Sequence, residues 1–184
     1  GTALAQYLVA QGAHVVASDA KPAGQLSDAL AVLSNLPIEY ALGGHPPTLL
    51  DGADLLCISG GVPAGVPLAQ EARRWGVPVS NDSQVFLDAA PCTVIGITGS
   101  AGKTTTTTLT GKMVTASRRT TWVGGNIGNP LIADLDRMTA NDVAVMELSS
   151  FQLEIMTASP HIARVLNITP NHLDRHGTME VYIE

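Results

Sequence analysis

The chain has 184 residues, with 10 Lys+Arg against 16 Asp+Glu for a formal net charge of −6; 45% of it is hydrophobic and only 14% charged. Disorder needs the reverse balance, so a folded chain is expected. An acidic chain offers no electrostatic footprint for nucleic acid, and no apolar run approaches a membrane span, so neither nucleic-acid binding nor membrane insertion is expected. Cys57 and Cys92 fall outside any metal-ligand spacing and suit a reducing, cytoplasmic compartment. The sequence opens at Gly1 without a methionine.

Short β-branched runs alternate with Ala/Leu-rich helical stretches, the pattern of an α/β chain with parallel sheets. A helix is predicted over residues 2–11, with Leu4, Leu8 and alanines on one side and Gly12 placed to end it. HVVAS (14–18) reads as a strand ending at Asp19, and residues 25–35 as a helix with Leu26, Leu30 and Leu33 at helical spacing. DLLCIS (54–59) reads as a strand running into the loop GGVPAGVP. A helix over 68–75, a strand over 77–80 and a helix over 82–87 follow. Ala89–Ala90–Pro91 marks a break. Beyond it, TVIGIT (93–98) is a buried-type strand entering a glycine loop and a helix, and residues 120–123, 143–147 and 162–167 read as strands. Two α/β units joined near residue 91 are therefore expected, the first incomplete at its start and the second at its end. Leu30, Leu55 and Val143 are expected in the core.

The strongest local signal is TVIGITGSAGKTTT. Glycines let backbone N–H groups converge on phosphate oxygens, and a helix N-terminus adds a favourable dipole. Gly99, Ser100, Ala101, Gly102, Lys103, Thr104 and Thr105 are the candidate ATP contacts, with Lys103 supplying charge to the phosphates and Thr104 a hydroxyl for Mg²⁺. The general P-loop spelling has its first glycine where Ile97 stands, so this is a variant. The alternative is a helix start that is merely rich in glycine and threonine.

In DVAVMELSSFQLE, Glu147 ends a hydrophobic strand, where an α/β sheet meets its ligand, and is a candidate second oxygen ligand for Mg²⁺. The alternative is an ordinary strand-end carboxylate. Ser149 to Gln152 are candidates either for the site or for capping the next helix. GGNIGNP follows a strand and offers Asn126 as donor and acceptor, or is only a turn. NITPNHLDRHG places His172, Asp174 and His176 together, either as metal or acid–base groups or as a surface loop. At the start, Gly1, a helix and then Asp19 after a strand resemble the latter part of a dinucleotide-binding fingerprint, and SGGVPAGVP lies at another strand end.

In their order along the chain, TGSAGKTT, GGNIG, ELSSFQLE and NITPNHLDRHG resemble the ATP-dependent Mur ligases. The resemblance covers practically all of the chain. It implies a Rossmann-like UDP-substrate-binding domain at 1–90 and a P-loop ATPase-type central domain at 91–184. It also implies a monomeric ligase in which ATP phosphorylates the carboxylate of UDP-N-acetylmuramoyl-L-alanine and D-glutamate attacks the acyl phosphate. Lys103 and His172 would be catalytic, and Thr104, Glu147 and His172 would hold Mg²⁺. Asn126 would touch the sugar-peptide, and Asp19, Ser59, Gly60 and Gly61 would lie near the UDP. The family usually reads TGTNGK where Ser100 and Ala101 stand here, has Asp where Asn171 stands, and often proline where Gly60 stands. Its carbamylated lysine would fall a few residues beyond Glu184, so residues 1–184 by themselves are expected to be inactive.

Overall fold

The computed structural model describes residues 1–183. The first half alternates helix α1 (Thr2–Ala10), strand β1 (Val15–Asp19), α2 (Ser27–Leu33), β2 (Ile38–Leu42), β3 (Leu56–Cys57), α3 (Pro67–Arg74), β4 (Val79–Ser80) and α4 (Asp82–Ala89). Its strands pair in parallel as two ladders, β1 with β2 and β3 with β4. The second half contains β5 (Thr93–Thr98), α5 (Lys103–Ala116), β6 (Thr121–Gly125), β7 (Val143–Glu147), α6 (Ser150–Leu153), β8 (Ile162–Val165), α7 (Leu173–His176) and α8 (Met179–Ile183). Its four strands form one parallel sheet in the order β6-β7-β5-β8.

Local chemistry accounts for several element ends. Gly12 takes φ +83° just past α1, a conformation open to glycine without strain. Asn81 caps α4 by accepting from the Gln84 N–H at 2.8 Å. Ala90, extended at φ −64° and ψ 121°, ends that helix because a residue before proline avoids the helical region.

Some expectations change. The helix anticipated over 25–35 starts only at Ser27, after a separate 3₁₀ turn at Ala23–Gln25. The strand anticipated over 54–59 shrinks to Leu56–Cys57, because β4 offers a register of only two residues. Leu55, expected in the core, is 41% exposed. Side chains alternate along the chain here, and it is Leu56 that packs on the Ile58–Ala64–Ile155 cluster. Leu30 is only half-buried, whereas Val143 is buried as expected. Strand β2 was not anticipated.

Every residue of β7 is buried, as befits a strand flanked on both sides. The largest apolar cluster takes Val94, Ala144, Met146 and Leu148 from the second half together with Leu4 of α1 and Phe86 of α4. A buried polar seam joins the halves as well. Asn81 Nδ2 donates to the Gln152 carbonyl (2.9 Å), Gln152 Nε2 donates to Ser83 Oγ (2.6 Å), and Gln84 Oε1 accepts from the Thr157 N–H (2.8 Å). With their partners in place these buried groups cost little to bury; unpaired, each would cost about 1–3 kcal/mol.

The start of β7 is pinned by Asp142. Trp122 Nε1 donates to its carboxylate at 2.8 Å, and Thr139 donates through both hydroxyl (2.9 Å) and backbone N–H (3.2 Å). Donation by Trp122, joined by Thr139, outweighs burial and holds this carboxyl below the usual aspartate range. A carboxyl lowered by folding stabilises above its unfolded pKa, about 3.9, and loses that contribution as pH falls through its folded value. Asp142→Asn is therefore expected to lower the Tm at pH 7, with the gap to the parent protein closing below about pH 4. A gap independent of pH in thermal melts would show that the charge of Asp142 contributes nothing.

Candidate functional site

The sheet order brings three loops to one edge. β5 lies centrally, with β7 on one side and β8 on the other, so the chain's exits from β5, β6 and β7 meet at the carboxyl ends of the strands. This is where open α/β sheets bind ligands. Glu147, the last residue of β7, stands in register with Ile97 of β5 and Gly125 of β6. The register therefore places it between the GSAGK loop and the GGNIG loop.

The loop after β5 enters α5 through Gly102, whose φ of +84° ordinary side chains avoid. Thr106 is the first residue of that turn whose N–H reaches back, to the Gly102 carbonyl (3.0 Å). The amides ahead of it in the turn, at Lys103, Thr104 and Thr105, are left without helical partners, as an anion site requires. Lys103 folds over the loop and donates from Nζ to the carbonyls of Gly99 (2.6 Å) and Ser100 (3.5 Å).

Ser100 and Ala101 are differently placed. Their amides are taken by Asn167, through its carbonyl (3.0 Å) and its side-chain Oδ1 (2.9 Å) respectively. Asn167 Nδ2 returns a bond to the Ala101 carbonyl at 3.0 Å. A Cβ on Gly99 would lie 3.1 Å from the Asn167 backbone, so the loop and residue 167 meet closely, and the φ of +143° there itself disfavours a side chain.

Glu147 is 2% exposed and has two neutral partners. Thr104 Oγ1 donates to its Oε2 and Asn126 Nδ2 to its Oε1, both at 2.9 Å. Among the described residues it forms no ion pair. A buried carboxylate balanced only by neutral donors favours a cation, and Thr104 and Glu147 bring two hard oxygens together. No group of three His, Cys, Asp or Glu forms a metal cage among the described residues. Asn126 is held from behind by its own N–H on the Glu147 carbonyl (2.9 Å). Gly125, at φ +99°, sits so close to that carbonyl that a Cβ would collide with it.

Ser149 forms a capping box with Gln152, so the capping alternative for this segment holds. Phe151, in the first turn after the cap, joins a cluster that no local pattern announces. His172 lies tilted on its ring (centroids 5.0 Å), His176 stacks on it (5.3 Å), and the Arg175 guanidinium sits over it (4.4 Å). His176 Nε2 also meets Ser150 Oγ at 3.0 Å. His172 occupies left-handed φ 50°, which is rare for a residue with a side chain and sets its ring at the start of α7. It is exposed and records no hydrogen bond to Thr104 or Glu147.

The N-terminal candidates divide. Gly60 packs against the Gln152 side chain, and the Gly61 carbonyl accepts from Arg175 at 3.5 Å, so this loop faces the second half. Ser59 lies beside Gly1. Asp19 stands apart at the end of β1, accepting from the Lys21 N–H (2.8 Å) and, through its carbonyl, from Gly43 and Gly44. His45 meets Ser18 there at 2.7 Å, a neighbour 27 residues away that no local pattern announces.

Residues 97–184 match the Mur ligase middle domain. The chain is 47% identical to the UDP-N-acetylmuramoylalanine–D-glutamate ligase of Symbiobacterium thermophilum and 44% identical to that of Pelotomaculum thermopropionicum. Each alignment takes in 99% of this chain and 40% of the relative, so the chain spans well under half the length of these curated relatives. Among solved structures, it is similar to the UDP-N-acetylmuramate–alanine ligase of Thermotoga maritima (TM-score 0.52, 23% identity, 98% of this chain and 42% of that one). It is also similar to the UDP-N-acetylmuramate:L-alanyl-gamma-D-glutamyl-meso-diaminopimelate ligase of Neisseria meningitides (TM-score 0.55, 20% identity, 98% and 61%). These two likenesses bear on the fold alone, and agree with its α/β, parallel-sheet character. The site-bearing half thus matches the Mur ligase middle domain, and practically the whole chain aligns with part of ligases of that kind.

Proposed function

We propose that the chain supplies the UDP-substrate and ATP sites of an ATP-dependent amide ligase. In this reading the enzyme joins D-glutamate to UDP-N-acetylmuramoyl-L-alanine in peptidoglycan precursor synthesis and acts as a cytoplasmic monomer. The observation that carries it is the meeting of Thr104, Glu147 and Asn126 beside Lys103 at the mouth of α5. The names of the relatives support the choice of D-glutamate. Residues 1–90 form the UDP-substrate unit, with Asp19 and the Ser59–Gly61 loop near the UDP. Residues 91–184 form the ATP unit.

Phosphoryl transfer needs positioning and charge neutralisation more than covalent chemistry from the protein. The free amides of Lys103, Thr104 and Thr105 cradle phosphate oxygens, and the Lys103 ammonium leaves its loop carbonyls to neutralise charge on the transferring group. A carboxylate oxygen of the L-alanine attacks the γ-phosphorus as the bond to ADP breaks. The D-glutamate amine then attacks the carbonyl carbon, phosphate leaves, and the nitrogen loses a proton. Thr104 and Glu147 would hold one Mg²⁺ and His172 a second, and the ions would supply charge neutralisation. Asn126 orients the sugar-peptide while its amide remains on Glu147.

Amide-resonance mapping tests the division of labour. UDP-N-acetylmuramoyl-L-alanine is expected to shift resonances around Asp19 and residues 59–61, and a non-hydrolysable ATP analogue those of residues 99–105. Perturbation confined to residues beyond 91 by both ligands would defeat the assignment. ADP release by the complete natural protein that needs both the UDP-substrate and D-glutamate tests the reaction itself. Hydrolysis indifferent to D-glutamate would sink it.

A further inference from the structure

The phosphate loop is clamped by a residue outside its motif. Ser100 Oγ lies 2.8 Å from the Tyr182 hydroxyl, 82 positions along the chain. The same oxygen donates to the Thr169 carbonyl (2.9 Å) and accepts from the Thr169 N–H (2.9 Å). A serine hydroxyl has one proton and two acceptor lone pairs. Its proton goes to Thr169, so in the Tyr182 pair tyrosine is the donor. Ser100 then uses its whole hydrogen-bonding capacity, and the last place is filled only by Tyr182.

Tyr182 is itself braced. Its ring tilts against His176 with centroids 5.2 Å apart, and His176 stacks on Phe151 and bonds Ser150. The Ser100 carbonyl accepts from Asn171 Nδ2 at 3.2 Å, so the residue beside His172 grips the same loop position. A continuous run of contacts thus links Ser100 to α6, α7 and α8.

We propose that Tyr182 is a positioning residue for nucleotide binding: its hydroxyl donates to Ser100 and thereby holds the phosphate loop in the shape that leaves the first-turn amides of α5 open. The inference rests on the nucleotide reading of this loop. Tyr182 touches no phosphate in it and acts through Ser100.

The test is a double-mutant cycle in the complete natural protein, reading the Kd of a non-hydrolysable ATP analogue with Mg²⁺, KM for ATP, kcat and Tm. Tyr182→Phe keeps the ring on His176 and removes only the hydroxyl. Tyr182→Phe is expected to raise the Kd about 3- to 10-fold, the size of one net hydrogen bond, and Ser100→Ala at least as much, since it also removes the two bonds to Thr169. KM for ATP should follow, kcat of Tyr182→Phe should change less than about 2-fold, and adding Tyr182→Phe to Ser100→Ala should weaken binding no further, since the Tyr182 hydroxyl then has no partner left to lose. Ser100→Thr, which keeps a hydroxyl, should bind more tightly than Ser100→Ala. Additive effects, or a lowered Tm with unchanged Kd, would mean that Tyr182 only anchors α8 and would overturn the proposal. Failure of the parent protein to bind the analogue would overturn the nucleotide reading itself, and the proposal with it.

Discussion

Lys103→Ala is expected to lower ATP-dependent ligation by the complete natural protein at least about 10²-fold, the scale of losing one preorganised electrostatic group. The structure explains why this loss would appear in turnover rather than in folding. Among the described residues, Lys103 Nζ bonds only to the loop carbonyls of Gly99 and Ser100 and has no carboxylate partner. Its removal therefore strands no buried charge, and the half-exposed carbonyls it leaves can turn to water. The Tm should move by only a few degrees, as for a single net hydrogen bond. Steady-state rates beside thermal melts check this. Near-normal turnover would remove the phosphate-loop assignment, while a collapsed Tm would show that the lysine chiefly braces the loop.

Glu147→Gln is expected to reduce turnover at least about 10-fold and to raise the Mg²⁺ concentration needed for half-maximal rate, because a hard cation prefers carboxylate to amide oxygen. Size and shape are kept, but the donor pattern is not. Glu147 now accepts from Thr104 on one oxygen and Asn126 on the other. A glutamine presents an NH₂ on one side, so one of those donors loses its partner at a 2% exposed position. Some stability is lost as well, and the Mg²⁺ titration is the decisive readout. An unchanged Mg²⁺ dependence with full activity would leave Glu147 as a strand-end carboxylate and nothing more.

The elements that bear the site were legible because their signals are local. TVIGIT became β5 over Thr93–Thr98, Lys103 opened α5, and VAVME became β7 over Val143–Glu147. A continuous β-branched run, a glycine with positive φ and a threonine-rich first turn each act within a few residues of chain. The Ser149–Gln152 capping box is equally local. Elements with weaker local signals were misjudged. IEYAL becomes β2 because β1 offers it a five-residue parallel register, and DLLCIS keeps only two strand residues because β4 offers no more.

The sequence by itself determined that a glycine loop precedes a helix, that an acidic residue ends a buried strand, and that a histidine-bearing segment follows. Tertiary structure alone decided which of these meet. It set β7 between β5 and β6, so that Glu147 takes Thr104 from one loop and Asn126 from the other. It gave the Ser100 and Ala101 amides to Asn167 and the Ser100 hydroxyl to Tyr182, and it gathered His172, Arg175 and His176 around Phe151. These partners lie from 21 to 82 positions apart. Periodicity and capping report a residue's neighbours within a turn or two, whereas the pairing of distant segments is settled by sheet register and by the burial that rewards closing long loops.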